Sequence, residues 1–409
     1  MTKQYKIDTS LARMDSLMIS SNAKRLSRLE LAFRVIKNAV KLLAEKQPLL
    51  LDDTLKEFQK EDFEKEILYR TTSNNSKERL NTLVSIAYKL NEQILKISEL
   101  ENFNPVQILS RFVDEQCVIN ADGEILPKDS KLLHSKMLQT PTDPEATYRK
   151  KGEDKHVGYV GNVLEVRDKE KKIGIILDFD LKQNIYSDVT FAKDTLENND
   201  VIKEIDQLCV DGGYYGGEVV IEANKKDIAI NFSAMTGKVP ETDKINAHEY
   251  KFNGETCKCP ADKTSFSVKT NEDNNSWSAY FYKSDCNKCP LKDKCYQKDG
   301  TDYSIVHLTL NQQLAAETRA KIGTKEHTKL ANYRAGVEGV PSVLRRKYRV
   351  DKIPVYGLLR KKLWFSTKIM AKNIKAFTKY RVVSSMLSIK RFYKQIKSSL
   401  VPIIYHYSV

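Results

Sequence analysis

Residues 205–231 read IDQLCVDGGYYGGEVVIEANKKDIAIN, and this stretch decides the fold class. Leu208, Cys209 and Val210 form a short apolar run, which predicts a buried strand that ends at Asp211. The glycine-rich turn after the acid favours a close approach of backbone or ligand, and a helix and another strand are predicted to follow. This order is typical of an α/β sheet, whose sites lie at the carboxyl ends of its strands. Asp211 is therefore a candidate site residue, and the alternative is an Asx turn that caps the next helix.

Further strands and a helix are predicted upstream. Residues 156–166 (HVGYVGNVLEV) and 173–179 (IGIILDF) are apolar, branched and bounded by charged turns, which is typical of strands. Residues 189–200 (VTFAKDTLENND) predict a helix. Near the N-terminus, LARMDSLMI at 11–19 alternates apolar and polar residues and predicts a strand with Asp15 near its middle. Because an acid in an apolar strand is costly to bury alone, Asp15 is either paired or an exposed turn acid.

Residues 23 to about 109 are predicted to be mainly helical. Apolar side chains recur every three or four positions in SRLELAFRVIKNAVKLLAEK at 27–46 and in RLNTLVSIAYKLNEQILKISELE at 79–101. An acidic helix between them, at 51–70, is predicted to present a solvated face. These patterns indicate the core of a helical subdomain, with no predicted chemistry.

The chain has 409 residues and a net charge of +14. Such a positive surplus indicates a polyanionic partner, which is either nucleic acid or an anionic membrane surface. A membrane protein is not indicated, because the sequence has no run of about 18 apolar residues and its N-terminus lacks the apolar core of a signal peptide. We therefore expect a soluble, cytoplasmic protein of two or three domains without a membrane partner.

Five of the seven cysteines crowd into residues 257–295, within CKCP and CNKCPLKDKC. In a reducing compartment this crowding predicts a tetrahedral zinc site rather than a set of disulfides. The predicted ligands are Cys259, Cys286, Cys289 and Cys295, with Cys257 as the alternative to Cys259. Because structural zinc sites are closed, we expect the metal to support folding and not catalysis.

One acid, Glu338, lies within the strongly basic segment RAGVEGVPSVLRRKYRVDK at 334–352. On a helix, Arg334, Glu338 and Arg345 would lie in a row on one face. A carboxylate flanked by arginines suits a divalent metal held beside nucleic-acid phosphate. The alternative is a surface helix with one salt bridge. The interruption at 336–341, which contains glycines and a proline, leaves the continuity of this face open.

Five motifs occur in a recognisable order along the chain. They are TDPEATYRKKG (142–152), GYVGNVLEV (158–166), VDGGYYGG (210–217), the CP and CxxCPLKxxC cysteines, and RxxxE followed by six residues and Arg345. Between about Ala12 and Tyr380 the chain resembles the DDE transposases of bacterial insertion sequences, in the branch with a cysteine-rich segment before the catalytic glutamate. This resemblance implies an RNase H-like fold, which is an α/β mixed sheet flanked by helices.

The resemblance also implies a catalytic site in which three carboxylates bind two Mg²⁺ or Mn²⁺ ions. Asp211 matches the second aspartate of the family and Glu338 the glutamate. Asp15, in RMDSLMISSN at 13–22, is the expected first aspartate because a strand holds a ligand rigidly, and Asp143, in an Asp-Pro turn, is the alternative. The tyrosine expected three residues before Arg334 is absent from that position. The DNA-binding residues implied are Arg334, Arg345, Arg346, Lys347, Arg349 and Lys352.

By this resemblance we expect a transposase that cleaves and joins double-stranded DNA at the ends of an insertion sequence, as a homodimer in the bacterial nucleoid. Only some ten residues precede the first strand, so we expect an N-terminally truncated chain. The alternatives are a non-catalytic, zinc-stabilised DNA-binding relic and a two-metal nuclease without strand transfer.

Five parts of the chain are expected. They are a first core strand (1–22), a helical insertion (23–140), an RNase H-like core (141–250), a cysteine-rich zinc-binding insertion (251–300), and the glutamate helix with basic C-terminal helices (301–409).

Overall fold

The computed structural model describes residues 2, 4–198, 200–235, 244–351 and 353–406, and at 198, 388 and 391–406 it describes the backbone alone. The strands are β1 (Leu11–Ser20), β2 (Cys117–Ile119), β3 (Ile125–Pro127), β4 (Thr147–Lys151), β5 (Asp154–Asp168), β6 (Ile173–Gln183), β7 (Gln207–Val210), β8 (Ala229–Phe232), β9 (Lys251–Phe252), β10 (Cys257–Lys258), β11 (Ser267–Asn271), β12 (Ser276–Tyr282), β13 (Gln297–Asp299) and β14 (Tyr303–Thr309). The α-helices are α1 (Arg28–Lys46), α2 (Asp53–Glu57), α3 (Glu61–Tyr69), α4 (Ser76–Ile94), α5 (Asn104–Gln116), α6 (Asp188–Asn198), α7 (Gly217–Lys225), α8 (Lys283–Asn287), α9 (Leu310–Lys321), α10 (Lys325–Ala335), α11 (Gly339–Tyr348) and α12 (Leu358–His406).

The central sheet is mixed. Its strand order is β4-β5-β1-β7-β8, and β6 also pairs with β5. The strand β5 is antiparallel to β1, β4 and β6, whereas β1, β7 and β8 are parallel to one another. The predicted strands at 11–19, 156–166 and 173–179 correspond to β1, β5 and β6. The mixed α/β architecture expected from the sequence is therefore confirmed.

Alternation along β1 divides the core into two layers. Ala12 and Met14 pack with α6 and α7 on one face of the sheet. Leu17 and Ile19 pack with α11 and α12 on the other face. Because alternate side chains of a strand point to opposite faces, Asp15 lies on the same face as Leu17. The acid thus points to the side that the C-terminal helices cover.

The residues between β1 and β4 form a helical layer with its own core. The two periodic stretches of the sequence correspond to α1 and α4, which pack with α5. Ser27 caps α1 by accepting a hydrogen bond from the Glu30 N–H at 3.2 Å. The acidic stretch differs from the prediction, because it forms two short helices and buries Leu55 and Phe58 in this core. Burial of these two apolar side chains is favourable, even though the residues around them in the sequence are charged.

The cysteine region contains a second, four-stranded sheet in the order β11-β12-β14-β13. One face is buried and carries Trp277, Ala279 and Phe281 of β12 against Val306 and Leu308 of β14. The sheet continues to Thr309, which lies beyond the boundary expected at residue 300.

The C-terminal part is helical, as expected. Thr309 and Gln312 form a capping box at the start of α9. Gly323, with φ of 89°, separates α9 from α10 at a break that the sequence pattern did not predict. In α12, Phe365, Ile369 and Phe377 are buried, whereas Ile374 is exposed. No helix in the described part of the chain is long and apolar enough to cross a membrane.

Candidate active site

Three acids singled out from the sequence meet beside the central sheet. Asp15 lies in the middle of β1, Asp211 directly follows β7, and Glu338 ends the 3₁₀ turn between α10 and α11. In the parallel pair β1 and β7, Arg13 is opposite Cys209. Asp15 and Asp211 each lie two residues after this pair, so they are neighbours across the two segments.

Arg334, in the last turn of α10, contacts all three acids. Its Nη2 lies 3.2 Å from Asp15 Oδ1 and 3.7 Å from Asp211 Oδ2, while Nη1 lies 3.2 Å from Glu338 Oε1. The contact with Asp211 is an ion pair that is longer than a hydrogen bond. The arginine itself is only 9% exposed. The structure thus groups Asp15, Asp211 and Glu338 around one guanidinium.

The three carboxylates differ in depth. The exposed fraction of the side chain is 16% for Asp15, 51% for Asp211 and 67% for Glu338. Burial raises the pKa of Asp15; Arg334 and the Ser16 N–H oppose this shift, and the charges of Asp211 and Glu338 add to it. Because the acids repel one another, a cation between them is stabilising.

Asp211 also caps the turn that follows it. Its Oδ1 accepts hydrogen bonds from the Gly212 N–H at 2.7 Å and from the Ser233 hydroxyl at 3.2 Å. The local hydrogen bonding is therefore that of the capping alternative, while Oδ2 faces Arg334. A Cβ at Gly212 would lie 2.6 Å from the carbonyl oxygen of Ala234, so glycine permits this close approach. The Asp211 side chain therefore both caps this turn through Oδ1 and belongs to the acidic group through Oδ2.

The segment between Arg334 and α11 keeps a helical course despite its glycines. Gly336 has φ of −63° and ψ of −15°, and Glu338 has φ of −57° and ψ of −24°. These angles are right-handed helical, so the 3₁₀ turn Gly336–Glu338 tightens the helix without reversing it. Arg334 and Glu338, four residues apart, consequently remain in contact.

A buried network, which the sequence patterns did not reveal, fixes α10 against β1. Arg13 donates from Nε and Nη2 to Glu165 Oε2 at 2.9 and 2.5 Å, and from Nη1 to the carbonyl of Tyr333 at 2.7 Å. A Cβ on Gly336 would lie 2.5 Å from Arg13 Nη1. The sequence does contain one indication of this network, which is the arginine within an apolar strand. A buried charge of this kind requires a partner.

Tyr333 adds a second connection between α10 and the sheet. Its hydroxyl donates to the carbonyl of Leu11 at 2.8 Å and accepts from the Arg167 N–H at 3.2 Å. Arg13 also lies over the ring of Tyr333, 5.0 Å from its centroid. Since Tyr333 directly precedes Arg334, these contacts set where the arginine enters the acidic group.

Asp143, the alternative first aspartate, lies in a different environment. It is fully buried and accepts hydrogen bonds from Ser21 Oγ at 2.6 Å, Tyr159 Oη at 2.6 Å and the Gly357 N–H at 3.0 Å. Lys361 forms an ion pair with it at 2.9 Å. Burial alone would raise the pKa of Asp143, but these four partners hold it below its usual value. The structure therefore groups Asp15, and not Asp143, with Asp211 and Glu338 around Arg334.

The basic residues expected to bind DNA occupy two environments. Arg334 is buried among acids, whereas Arg345 is exposed and its Nη2 donates to the Met18 carbonyl at 3.3 Å. Arg346, Lys347 and Arg349 are also exposed, and Arg349 ends α11 in the left-handed conformation with φ of 54°. Lys352 lies outside the described residues.

Four of the clustered cysteines face one small cavity. Cys259, Cys286, Cys289 and Cys295 are among the residues that line this cavity of about 30 Å³, and roughly 10–15 Å³ is enough to hold a water molecule. Cys257 lies in the adjoining core, where burial raises its pKa to about 12. Tyr250 Oη lies 3.0 Å from Cys295 Sγ. The geometry therefore groups Cys259, rather than Cys257, with the other three.

Throughout the described ranges, no group of three or more histidine, cysteine, aspartate or glutamate side chains is arranged to hold a metal ion. In the acidic group, the guanidinium of Arg334 lies among the carboxylates. The metal-binding roles expected for the acids and for the cysteines therefore stay predictions.

Comparison with known proteins identifies part of the chain. Searches of curated proteins and of solved structures found no significant match. Residues 258–378 match the family described as Transposase DDE domain. This segment begins in the cysteine region, contains Arg334 and Glu338, and ends within α12. The match confirms the resemblance to DDE transposases over residues 258–378.

Proposed function

We propose that this protein is a metal-dependent DNA transposase, which cleaves phosphodiester bonds at the ends of an insertion sequence and joins the freed 3′ ends to target DNA. The family match supports the reaction class. The observation that carries the proposed site is the grouping of Asp15, Asp211 and Glu338 around Arg334. A mixed sheet with helices packed on both faces supports an RNase H-like core.

The three acids suit a magnesium or manganese centre. Carboxylate oxygen is the ligand type that these ions prefer. Asp15, Asp211 and Glu338 come from three separate elements, and one guanidinium reaches all three, so a cation among them is within reach of each. Two such ions, when bound, would make a water nucleophilic and stabilise the leaving 3′ oxygen.

The protein's own residues would bind and orient the DNA. Glu338 is the most exposed of the three acids, and the exposed Arg345, Arg346 and Lys347 follow it on α11. After Asp351 the sequence contains no aspartate or glutamate, so the C-terminal region attracts phosphate. These cations would hold the duplex with the scissile bond near the acids, and a homodimer would bring two DNA ends together.

The cysteine cavity is proposed as a structural zinc site with Cys259, Cys286, Cys289 and Cys295 as ligands. Thiolate sulfurs are the preferred ligands of structural zinc. The cavity has space for a single ion, and it lies beside the buried face of the four-stranded sheet. Zinc there would stabilise the fold of the cysteine region and would take no part in DNA cleavage.

Cleavage and joining assays test this function. Duplexes taken from the DNA that flanks the gene are incubated with the full chain and Mg²⁺ or Mn²⁺. Glu338→Gln is expected to lower the cleavage rate by roughly 100-fold or more, because metal ligation is worth several kcal/mol in the transition state. Glu153→Gln, which changes an exposed acid in the turn between β4 and β5, is the matched control. Unchanged cleavage by Glu338→Gln would contradict its role.

The products separate the competing functions. Cleavage followed by joining to a target plasmid supports a transposase. Cleavage without joining would indicate a two-metal nuclease. DNA binding without cleavage in either metal would indicate a non-catalytic, zinc-stabilised DNA-binding protein.

A further inference from the structure

Arg334 lies in an environment unlike that of the basic residues on α11. Its side chain is 11% exposed and contacts three carboxylates, whereas Arg345, Arg346 and Lys347 are exposed. Its Nε is buried and has no hydrogen-bond partner among the described residues. Without DNA, both Nη atoms of this guanidinium contact carboxylates, so its immediate role concerns the acids.

The charges of this group are unbalanced. One guanidinium meets three carboxylates, so the group retains a negative excess that attracts further cations. The buried Nε without a partner also makes the arrangement less favourable for the arginine than a fully paired site. Arg334 therefore stabilises the acidic group, but one of its own hydrogen-bond donors is left without a partner.

We infer that Arg334 is a positioning residue, which holds the three carboxylates together and competes with metal ions for them. This inference rests on the proposed transposase function and deepens it. A carboxylate oxygen that accepts hydrogen bonds from Arg334 has that lone pair occupied. Ions that bind Asp15, Asp211 and Glu338 also meet the positive charge of the guanidinium, and we expect them to displace it from part of its contacts, which weakens metal binding to the protein alone.

DNA offers the displaced guanidinium another partner. Phosphate oxygens accept the forked N–H groups of arginine as carboxylates do. A phosphodiester that arrives next to Glu338, the most exposed acid, brings such oxygens within reach of Arg334. DNA and metal then bind cooperatively, and each raises the affinity for the other by the same factor. Metal loading is thereby favoured when DNA is present.

The first test measures Mn²⁺ binding to the full chain without DNA, from the paramagnetic resonance signal of the free ion. Arg334→Gln is expected to bind Mn²⁺ at least about fivefold more tightly than the wild type. Arg334→Lys keeps the positive charge but cannot bridge three carboxylates, so we expect an intermediate affinity. Arg25→Gln, at an exposed arginine before α1, is the matched control and should equal the wild type. Circular dichroism establishes that each variant is folded.

The second test repeats the titration with a phosphorothioate duplex that resists cleavage, after subtraction of the Mn²⁺ bound by the duplex alone. DNA is expected to raise the Mn²⁺ affinity of the wild type at least about fivefold, and to leave that of Arg334→Gln nearly unchanged. A purely structural salt bridge would not produce this difference. If Arg334→Gln does not fold, the loss of cooperativity is measured in Arg334→Lys.

The outcomes distinguish this inference from the proposed function. Equal Mn²⁺ affinities of the wild type, Arg334→Gln and Arg334→Lys, with equal responses to DNA, would overturn the inference and leave the transposase proposal intact. Absence of Mn²⁺ binding by the wild type, with and without DNA, would overturn both. Loss of binding in Asp15→Asn, together with tighter binding in Arg334→Gln, supports both.

Discussion

Asp143 and Lys361 form an ion pair at 2.9 Å in which both side chains are fully buried. Lys361 belongs to α12, and the Gly357 N–H directly before this helix also donates to Asp143. The other two partners are Ser21, directly after β1, and Tyr159 of β5. Lys361 Nζ also lies 4.6 Å from the ring centroid of Tyr159. This pair therefore connects the C-terminal helix to the central sheet.

Lys361→Met is expected to lower the free energy of unfolding by about 3–5 kcal/mol, because it leaves the charge of Asp143 buried without its cation. Urea denaturation followed by circular dichroism measures this loss. Lys362→Met is the matched control, since the neighbouring lysine forms a partly exposed ion pair with Asp180, and we expect a loss of no more than about 1 kcal/mol. Similar losses of unfolding free energy in both variants would show that the buried pair stabilises the protein no more than the partly exposed one.

The same pair is expected to contribute to acid sensitivity. The pKa of Asp143 is lowered in the folded protein, so it lies below the unfolded value of about 3.9. Its contribution is fully present above the unfolded pKa and is lost as the pH falls through the folded pKa. Between about pH 5 and pH 2, the wild type should lose more unfolding free energy than an Asp143→Asn, Lys361→Met double variant. Parallel pH profiles from denaturant titrations would contradict this prediction.

Tyr333→Phe is expected to lower the free energy of unfolding by about 1–3 kcal/mol, because the Leu11 carbonyl and the Arg167 N–H each lose a partner. DNA cleavage should also decrease, since Tyr333 fixes the end of α10 beside Arg334. Chemical denaturation and the cleavage assay measure the two effects. Tyr69→Phe, at an exposed tyrosine of α3, should change neither quantity. Full stability in Tyr333→Phe would show that the hydroxyl of Tyr333 is not needed to hold α10.

A combined Cys286→Ser and Cys289→Ser variant is expected to lose the bound zinc, because two of the four proposed thiolate ligands are removed. Elemental analysis of the purified protein measures the zinc content, and a chelator should lower the melting temperature of the wild type but not that of the double variant. Cys117→Ser, at a buried cysteine of the helical layer, is expected to keep its zinc. Unchanged zinc content in the double variant would refute the site, and Cys257→Ser tests the alternative ligand.

Local patterns were sufficient for much of the fold. The alternation around Asp15, the apolar run that ends at Asp211 and the helical periodicity of 27–46 all correspond to elements of the structure. Such patterns show which face of a single helix or strand is buried, and they can be recognised from residues that are close together in the sequence. They failed where burial depended on distant partners, as for Phe58 in the acidic stretch and Arg13 in β1.

The candidate site was only partly predictable for the same reason. Asp15 and Asp143 were both acceptable first acids on sequence, and so were Cys257 and Cys259 as fourth thiols. Asp15 and Arg334 are separated by 319 residues, and they meet because α10 packs against β1 and β7. Asp143 instead forms its ion pair with Lys361, which lies 218 positions later in the sequence.

The sequence by itself determined the α/β class, several strands of the central sheet, the acids worth considering and the basic C-terminal region, because each depends on residue type and short-range spacing. Only the tertiary structure decided that Asp15 joins Asp211 and Glu338, that Arg334 lies among them, and that Asp143 instead pairs with Lys361. These relationships depend on contacts between segments that are far apart in the chain, and the packing of β1, β7, α10 and α12 creates them.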